Sequence, residues 1–222
     1  MSELIAAGSD EATVRKAEED AYYHEAALIA VWTGSRLAIG ALSFLFGAFL
    51  FAYFYLESSN GHSLWLPSST TRPSNAYGLT IFLLVAVSAV VSTVGLQRIK
   101  AGRKRPWVLS GLAALVLGLV AVALQIVELL SLPFQPGASG FASVFVGFYP
   151  VALVAWLGAM IWLEILLARA RFIPAIAFVE RPPTDAEAFG VQRFQSSLSA
   201  FTTVWNYLAI VTFIFWLLFY VR

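Results

Sequence analysis

Five apolar stretches, each of about 20 residues or more, dominate this 222-residue sequence. A helix of that length crosses a hydrocarbon core of roughly 30 Å, and lipid offers an irregular backbone no hydrogen-bond partner. Hydrophobic residues make up 59% of the chain and charged residues only 12%, a balance that a soluble fold could not bury. The sequence therefore predicts an all-α integral membrane bundle, residues 29–222, with spans at about 29–55, 77–97, 107–130, 142–168 and 201–221.

Lysine and arginine are distributed unevenly between the loops. Eleven of them fall on one side of a five-span bundle: Arg15, Lys16, Arg98, Lys100, Arg103, Lys104, Arg105, Arg169, Arg171, Arg181 and Arg193. The other side has Arg72 and Arg222. Because basic residues near the spans stay in the cytoplasm, the segment 1–28 and the N-terminus are predicted to be cytoplasmic and the C-terminus external.

The two longer connections carry different signals. Residues 57–76 are rich in Ser, Thr, Asn and Pro, which indicates a loop, with Trp65 as an interfacial anchor. After the fourth span, residues 181–183 read Arg-Pro-Pro and stop any helix. Thr184 and Glu187 then have capping-box spacing, so the fifth helix is predicted to start near Asp185, before its apolar span.

The third span separates into two faces when it is plotted as an ideal helix. One arc of about 80° carries the small and polar residues: Ser110, Ala114, Gly118, Ala121, Gln125 and Glu128. The opposite side is made of Leu, Ile and Val, as a lipid-facing surface should be. Small residues allow a neighbouring helix to approach closely, so Gln125 and Glu128 are predicted to pack between helices. A proton or ligand role for Glu128 is the alternative.

The first span has a similar stripe of Arg36, Gly40, Ser43 and Gly47, which predicts that Arg36 faces protein. Glu164 lies at a similar depth on the fourth span, so an ion pair between them is one interpretation. Snorkelling of Arg36 to the membrane interface is the other.

Several functional classes lack their usual residues. Cysteine is absent, which excludes disulfides, thiolate-bound clusters and a cysteine nucleophile, and both histidines, His24 and His62, lie outside the spans. No cluster in the sequence has metal-ligand spacing, and a net charge of +1 does not favour nucleic acid as a partner. We therefore predict no catalytic, cofactor or metal site in this chain. The polar candidates for packing or function are Arg36, Gln125, Glu128, Glu164 and Asn206.

The third span and its approaches carry a family resemblance. A basic loop at 98–105 is followed by Trp107, Gly118 and the Gln-Ile-Val-Glu sequence of residues 125–128. This order resembles subunit III of haem–copper cytochrome c and quinol oxidases. Residues 49–56, 140–145 and 205–207 are similar to further stretches of that family, so the resemblance covers about 30–220 and matches its short five-helix bacterial form.

The resemblance implies a non-catalytic accessory subunit that stabilises the catalytic subunit I and sustains its proton uptake. Haem and copper would then be bound by that partner, and membrane phospholipid would fill a cleft. Several polar positions of the family are replaced here. A glutamate of its first core helix falls at Leu42, paired histidines at Tyr149 and Ala152, and a final His and Asp at Asn206 and Ala209. The resemblance therefore supports the fold and complex membership more than any role that needs that glutamate.

Two other functions remain open. An independent transporter or channel should show more intramembrane polar groups or broken helices, for which Pro150 is the best-placed residue. An oxidase assembly or interaction protein would share the fold but would be absent from the mature enzyme.

Overall fold

The computed structural model describes residues 2–67, 72–180 and 182–222, without the side chains of 2–13, 17, 62–63 and 185–186. The helices are α1 (Ser2–Trp65), α2 (Asn75–Lys100), α3 (Lys104–Leu130), α4 (Gly140–Arg171) and α5 (Asp185–Trp216). A short 3₁₀ turn, Pro174–Ile176, precedes α5, and a π-helical turn, Leu217–Val221, continues it. The described residues are all-helical, as predicted, and five of the helices are long and apolar enough to cross a membrane. Arg181, part of the predicted helix stop, lies outside the described residues.

The boundary predictions had mixed outcomes. α5 begins at Asp185 as predicted, and the backbone N–H of Thr184 donates to Glu187 Oε2 at 3.1 Å. The prediction of a loop from residue 57 was wrong, because α1 continues to Trp65, with non-helical angles only at Gly61. Trp65 is also not an interfacial anchor. It is buried, with its ring centroid 4.9 Å from that of Tyr53, and it therefore closes one end of the core.

Helices α1 and α5 run in the same direction. Ser196 Oγ of α5 donates to the carbonyl oxygen of Leu28 in α1 at 3.2 Å. Farther along in the same direction, the Tyr53 hydroxyl of α1 donates to the carbonyl oxygen of Leu218, in the π-turn that continues α5, at 3.0 Å. Along the sequence between α1 and α5, the helices α2, α3 and α4 alternate in direction. The antiparallel α2–α3 pair is shown by the contacts Gly95–Ser110 and Ser88–Ala114, and the antiparallel α3–α4 pair by Gly111–Leu167 and Gly118–Met160. The chain is therefore an up-and-down bundle.

The two basic connections meet at one end of this bundle, which we call the basic end. Gly102 lies in the turn between α2 and α3 with φ of +72°, and a Cβ on it would lie 2.6 Å from the ring of Phe178 in the α4–α5 connection. The positive φ and this close approach both require glycine. The contact therefore fixes the two basic loops side by side.

Topology can be tested on this chain because it has no native cysteine to remove. Ser59 is exposed near the C-terminal end of α1, and Ala101 is exposed at the basic end. We expect a cysteine at Ser59 to be labelled from outside the cell by a membrane-impermeant thiol reagent, and a cysteine at Ala101 to be labelled only after the membrane is opened. The reverse pattern would invert the orientation, and external labelling of both would contradict a five-span chain.

The predicted packing face of α3 is confirmed. Ala114, Gly118, Ala121, Gln125 and Glu128 are all buried against other helices, and the Leu and Val residues opposite them are largely exposed. Ser110, the first residue of the predicted face, is only partly buried. Close approach at Gly118 is visible directly, because a Cβ there would lie 2.9 Å from Met160 and 3.3 Å from Trp205.

The matching stripe on α1 is not buried against another helix within the described part of the chain. Arg36, Gly40, Ser43 and Gly47 are exposed, and a Cβ at either glycine would meet nothing within 4 Å. The core contacts of α1 are instead made by larger residues with helical spacing, which are Ile39, Leu42, Phe46, Phe49 and Tyr53. In its most apolar window only 11% of α1 is buried, against 33–44% for the other helices, so α1 is the peripheral helix of the bundle.

Candidate functional site

A buried carboxyl joins three helices at the end of the bundle opposite the basic end. Glu128, in the last turn of α3, is only 3% exposed. Tyr149 of α4 donates its hydroxyl to Glu128 Oε2 at 2.5 Å, and Tyr220 of the terminal π-turn donates to Oε1 at 2.7 Å. The two tyrosine hydroxyl oxygens also lie in direct contact with each other. We call these three residues the Glu–Tyr–Tyr cluster.

Local sequence explains how each member reaches the cluster. Glu128 ends the small-residue face of α3, so its side chain points to the helices that pack there. Tyr149 precedes Pro150 in α4, which continues through the proline as one helix. Tyr220 lies over Gly78 of α2, where a Cβ would be 2.7 Å from the ring. The glycine makes room for the ring, so α2 contributes to the site without a hydrogen bond.

Gly78 provides a precise test of this packing. We expect Gly78→Ala to lower the free energy of unfolding by about 1–3 kcal/mol, because the Tyr220 ring is tethered to Glu128 and cannot move away freely. The matched control is Gly158→Ala on α4, where a Cβ meets nothing within 4 Å. That change should be neutral or slightly stabilising, since alanine favours helix. Denaturation in mixed micelles measures both, and equal stability of the two variants would contradict the tethering of Tyr220.

Gln125 lies one turn before Glu128 and is 6% exposed. Its Oε1 atom is buried and accepts no hydrogen bond from the residues that the structure describes. Buried polar atoms in proteins normally form hydrogen bonds, so the side-chain carbonyl of Gln125 is an exception beside the hydrogen-bonded Glu128.

A second polar network crosses the middle of the bundle. The indole N–H of Trp205 donates to Ser88 Oγ at 3.1 Å, and Ser88 in turn donates to the carbonyl oxygen of Ala114 at 2.9 Å. Next to this network, the side-chain amide of Asn206 donates to Thr93 Oγ1 at 3.1 Å. These bonds tie α5 to α2 and, through Ser88, to α3, which is the role that interhelical polar side chains have in membranes.

The structure separates the five residues predicted as polar candidates. Gln125 and Glu128 share the packing face of α3, and Asn206 bonds to Thr93. Arg36 and Glu164 are exposed, and no ion pair joins them within the described part of the chain. Arg36 instead lies with its Cζ 5.7 Å from the ring centroid of Trp32. The intramolecular pair is therefore not formed, and the snorkelling alternative fits the exposed position better.

Tyr149 and Tyr220 were missed as site residues. Both are tyrosines near the ends of apolar spans, where such residues commonly form interfacial belts. One signal was present, because Tyr149 falls where the resembling family has a histidine. A polar side chain therefore remains at that position, and it bonds to Glu128.

The hydrogen bonds of the Glu–Tyr–Tyr cluster hold α3, α4 and the terminal π-turn together. Within the described ranges, no three or more His, Asp or Glu side chains lie close enough to hold a metal ion. Comparison of the chain with models of known protein families and with curated proteins found no match.

Proposed function

We propose that this chain is a non-catalytic accessory subunit of a haem–copper terminal oxidase, docked against the subunit that holds haem and copper in a prokaryotic plasma membrane. The observation that carries the proposal is the position of the residues that resemble subunit III. Trp107, Gly118, Gln125 and Glu128 all lie on the buried face of α3. The resemblance therefore falls on the residues that hold this bundle together.

The Glu–Tyr–Tyr cluster adds support, because it joins the end of the Gln-x-x-Glu sequence to one of the family's polar positions. The stretch that resembles Trp-His-Phe is also used in packing. Trp205 is fully buried, Asn206 bonds to Thr93, and Tyr207 accepts a hydrogen bond from Ser43 of α1 at 2.9 Å. Each of these residues contributes to a rigid bundle, as a stabilising subunit requires.

The transporter alternative receives less support. Transport sites are commonly built from discontinuous helices near the membrane midplane. α4 continues without a break across Pro150, and the non-helical angles inside α1 are at Gly61, near its end. Among the described residues, α4 therefore lacks the break at Pro150 that the transporter alternative predicted.

The proposed role is to protect the catalytic subunit during turnover, with phospholipid bound around the bundle. Deleting the chain is expected to leave an oxidase that still assembles haem but loses activity faster as it turns over. Activity decay should return to the wild-type rate on complementation with the intact chain, and only in part with a Glu128→Leu chain. A decay rate unaffected by the deletion would contradict the proposal. An assembly protein would instead lower the amount of mature oxidase without changing its decay.

A further inference from the structure

The elements that meet Glu128 present no opposite charge to its carboxyl. The side chain of Glu128 is 3% exposed, and its hydrogen bonds come from the neutral hydroxyls of Tyr149 in α4 and Tyr220 in the terminal π-turn. α2 reaches the cluster through Gly78, which lies against the Tyr220 ring. If Glu128 were ionised, it would therefore be a buried charge with hydrogen bonds but no counter-ion.

The charged residues at this end of the bundle do not supply that counter-ion. Arg222 lies 3.3 Å from Glu57 Oε2, and its Cζ is 5.0 Å from the ring centroid of Phe54, so its charge is already compensated. Arg72 forms no ion pair within the described ranges. Moving an unpaired carboxylate out of water is costly, and such a group commonly takes up a proton instead.

Gln125 offers the acceptor that a protonated Glu128 would need. A neutral carboxylic acid has one O–H donor besides its acceptor lone pairs. Gln125 Oε1 is a buried acceptor that receives no hydrogen bond from the described residues, and Gln125 precedes Glu128 by three positions on the same buried face of α3. Side chains at this spacing are neighbours on a helix. The missing donor and the buried acceptor therefore lie one helical turn apart.

An ionised Glu128 would leave the Gln125 carbonyl without an explanation. A carboxylate is an acceptor only, so it would add further lone pairs beside an acceptor that already lacks a hydrogen. One added proton can satisfy the Gln125 carbonyl and also removes the buried charge. Both tyrosine hydroxyls can keep their bonds, because the oxygens of a protonated carboxyl still accept hydrogen bonds.

We propose that Glu128 binds a proton from the aqueous phase and holds it at neutral pH as a carboxylic acid, which donates its O–H to Gln125 Oε1. The ligand is the proton itself, and the Glu–Tyr–Tyr cluster together with Gln125 is its binding site. The proposal concerns this chain alone, so its failure would leave the oxidase proposal standing.

The test is infrared spectroscopy of the purified chain at neutral pH in a detergent without carbonyl groups. It is read at the C=O stretching band of protonated carboxylic acids, which is separate from the amide bands. We expect wild type to show this band, Glu128→Gln to lose it, and the matched control Glu164→Gln to retain it, because Glu164 is exposed on α4 outside the cluster. A wild type without the band, or a band that Glu128→Gln leaves unchanged, would show that Glu128 is ionised and would overturn the proposal.

Gln125→Met tests the acceptor, because methionine has a similar size but no carbonyl. We expect the C=O band to move to higher wavenumber as the O–H loses its acceptor, and the free energy of unfolding to fall. If the Gln125 carbonyl is simply unpaired, its removal should leave the band in place and raise the free energy of unfolding, which would overturn the assignment of the acceptor. Should Glu128→Gln fail to fold, the shift in Gln125→Met still assigns the band to Glu128.

Discussion

Replacing Glu128 with leucine is expected to lower the free energy of unfolding by about 2–4 kcal/mol, because it leaves two buried tyrosine hydroxyls without their common acceptor. Both carboxylate oxygens are used, one by Tyr149 and one by Tyr220, so a single substitution removes the bonds that join α3 to α4 and to the end of the chain. Interhelical bonds in membranes are individually modest. The effect is large here because two are lost together at a site shielded from water.

The matched variant is Glu128→Gln, which keeps the size of the side chain, one carbonyl acceptor and an amide donor. It should lose less than about half as much stability as Glu128→Leu, since one tyrosine bond survives. Tyr149→Phe and Tyr220→Phe, made singly and together with Glu128→Leu, then report coupling by a double-mutant cycle. If the leucine and glutamine variants unfold alike, or if the losses simply add, the Glu–Tyr–Tyr cluster does not anchor the bundle.

Replacing Trp205 with alanine is expected to have the largest effect, a loss of about 3–5 kcal/mol. The indole is fully buried, packs edge-on against Trp156 with ring centroids 5.0 Å apart, and contacts Phe201. Because lipid cannot fill the space that the indole leaves, the neighbouring rings lose their packing contacts outright.

Trp205→Phe separates this packing from the indole hydrogen bond to Ser88. It should cost about 1–2 kcal/mol, less than the alanine variant, because most of the aromatic volume remains. Trp32→Ala is the positional control, since Trp32 lies on the peripheral helix α1 and is only partly buried. The three variants are compared by unfolding in mixed micelles, monitored by far-UV circular dichroism. If Trp205→Ala lowers the free energy of unfolding no more than Trp32→Ala does, Trp205 is not a central packing residue of the core.

The sequence predicted the elements that lipid itself constrains. Because a backbone in hydrocarbon must satisfy its own hydrogen bonds, apolar length was enough to place five helices. The buried face of α3 was also predictable, since its small and polar residues repeat with helical spacing over the whole span. The α5 start followed from local capping chemistry at Thr184 and Glu187.

Features that depend on neighbouring helices were not predictable in this way. The stripe at Gly40 and Gly47 has the same pattern as the α3 face but is exposed. A small-residue pattern predicts a surface that another helix can approach closely, but it does not say whether that helix belongs to the same chain. The partners of Glu128 depend on the rotation of α4 and of the terminal π-turn about their axes. The shared contact of Tyr149 and Tyr220 with Glu128 therefore could not be predicted without the arrangement of the three helices.

The most direct test of the proposed function is the absorption spectrum of whatever co-purifies with the tagged chain under mild detergent. The account predicts reduced-haem bands in near-stoichiometric amount, retained by wild type and weakened in the Glu128→Leu variant. Recovery of the well-folded chain free of haem in several mild detergents, with oxidase activity and its decay unchanged by deletion, would contradict the account and favour an independent membrane protein.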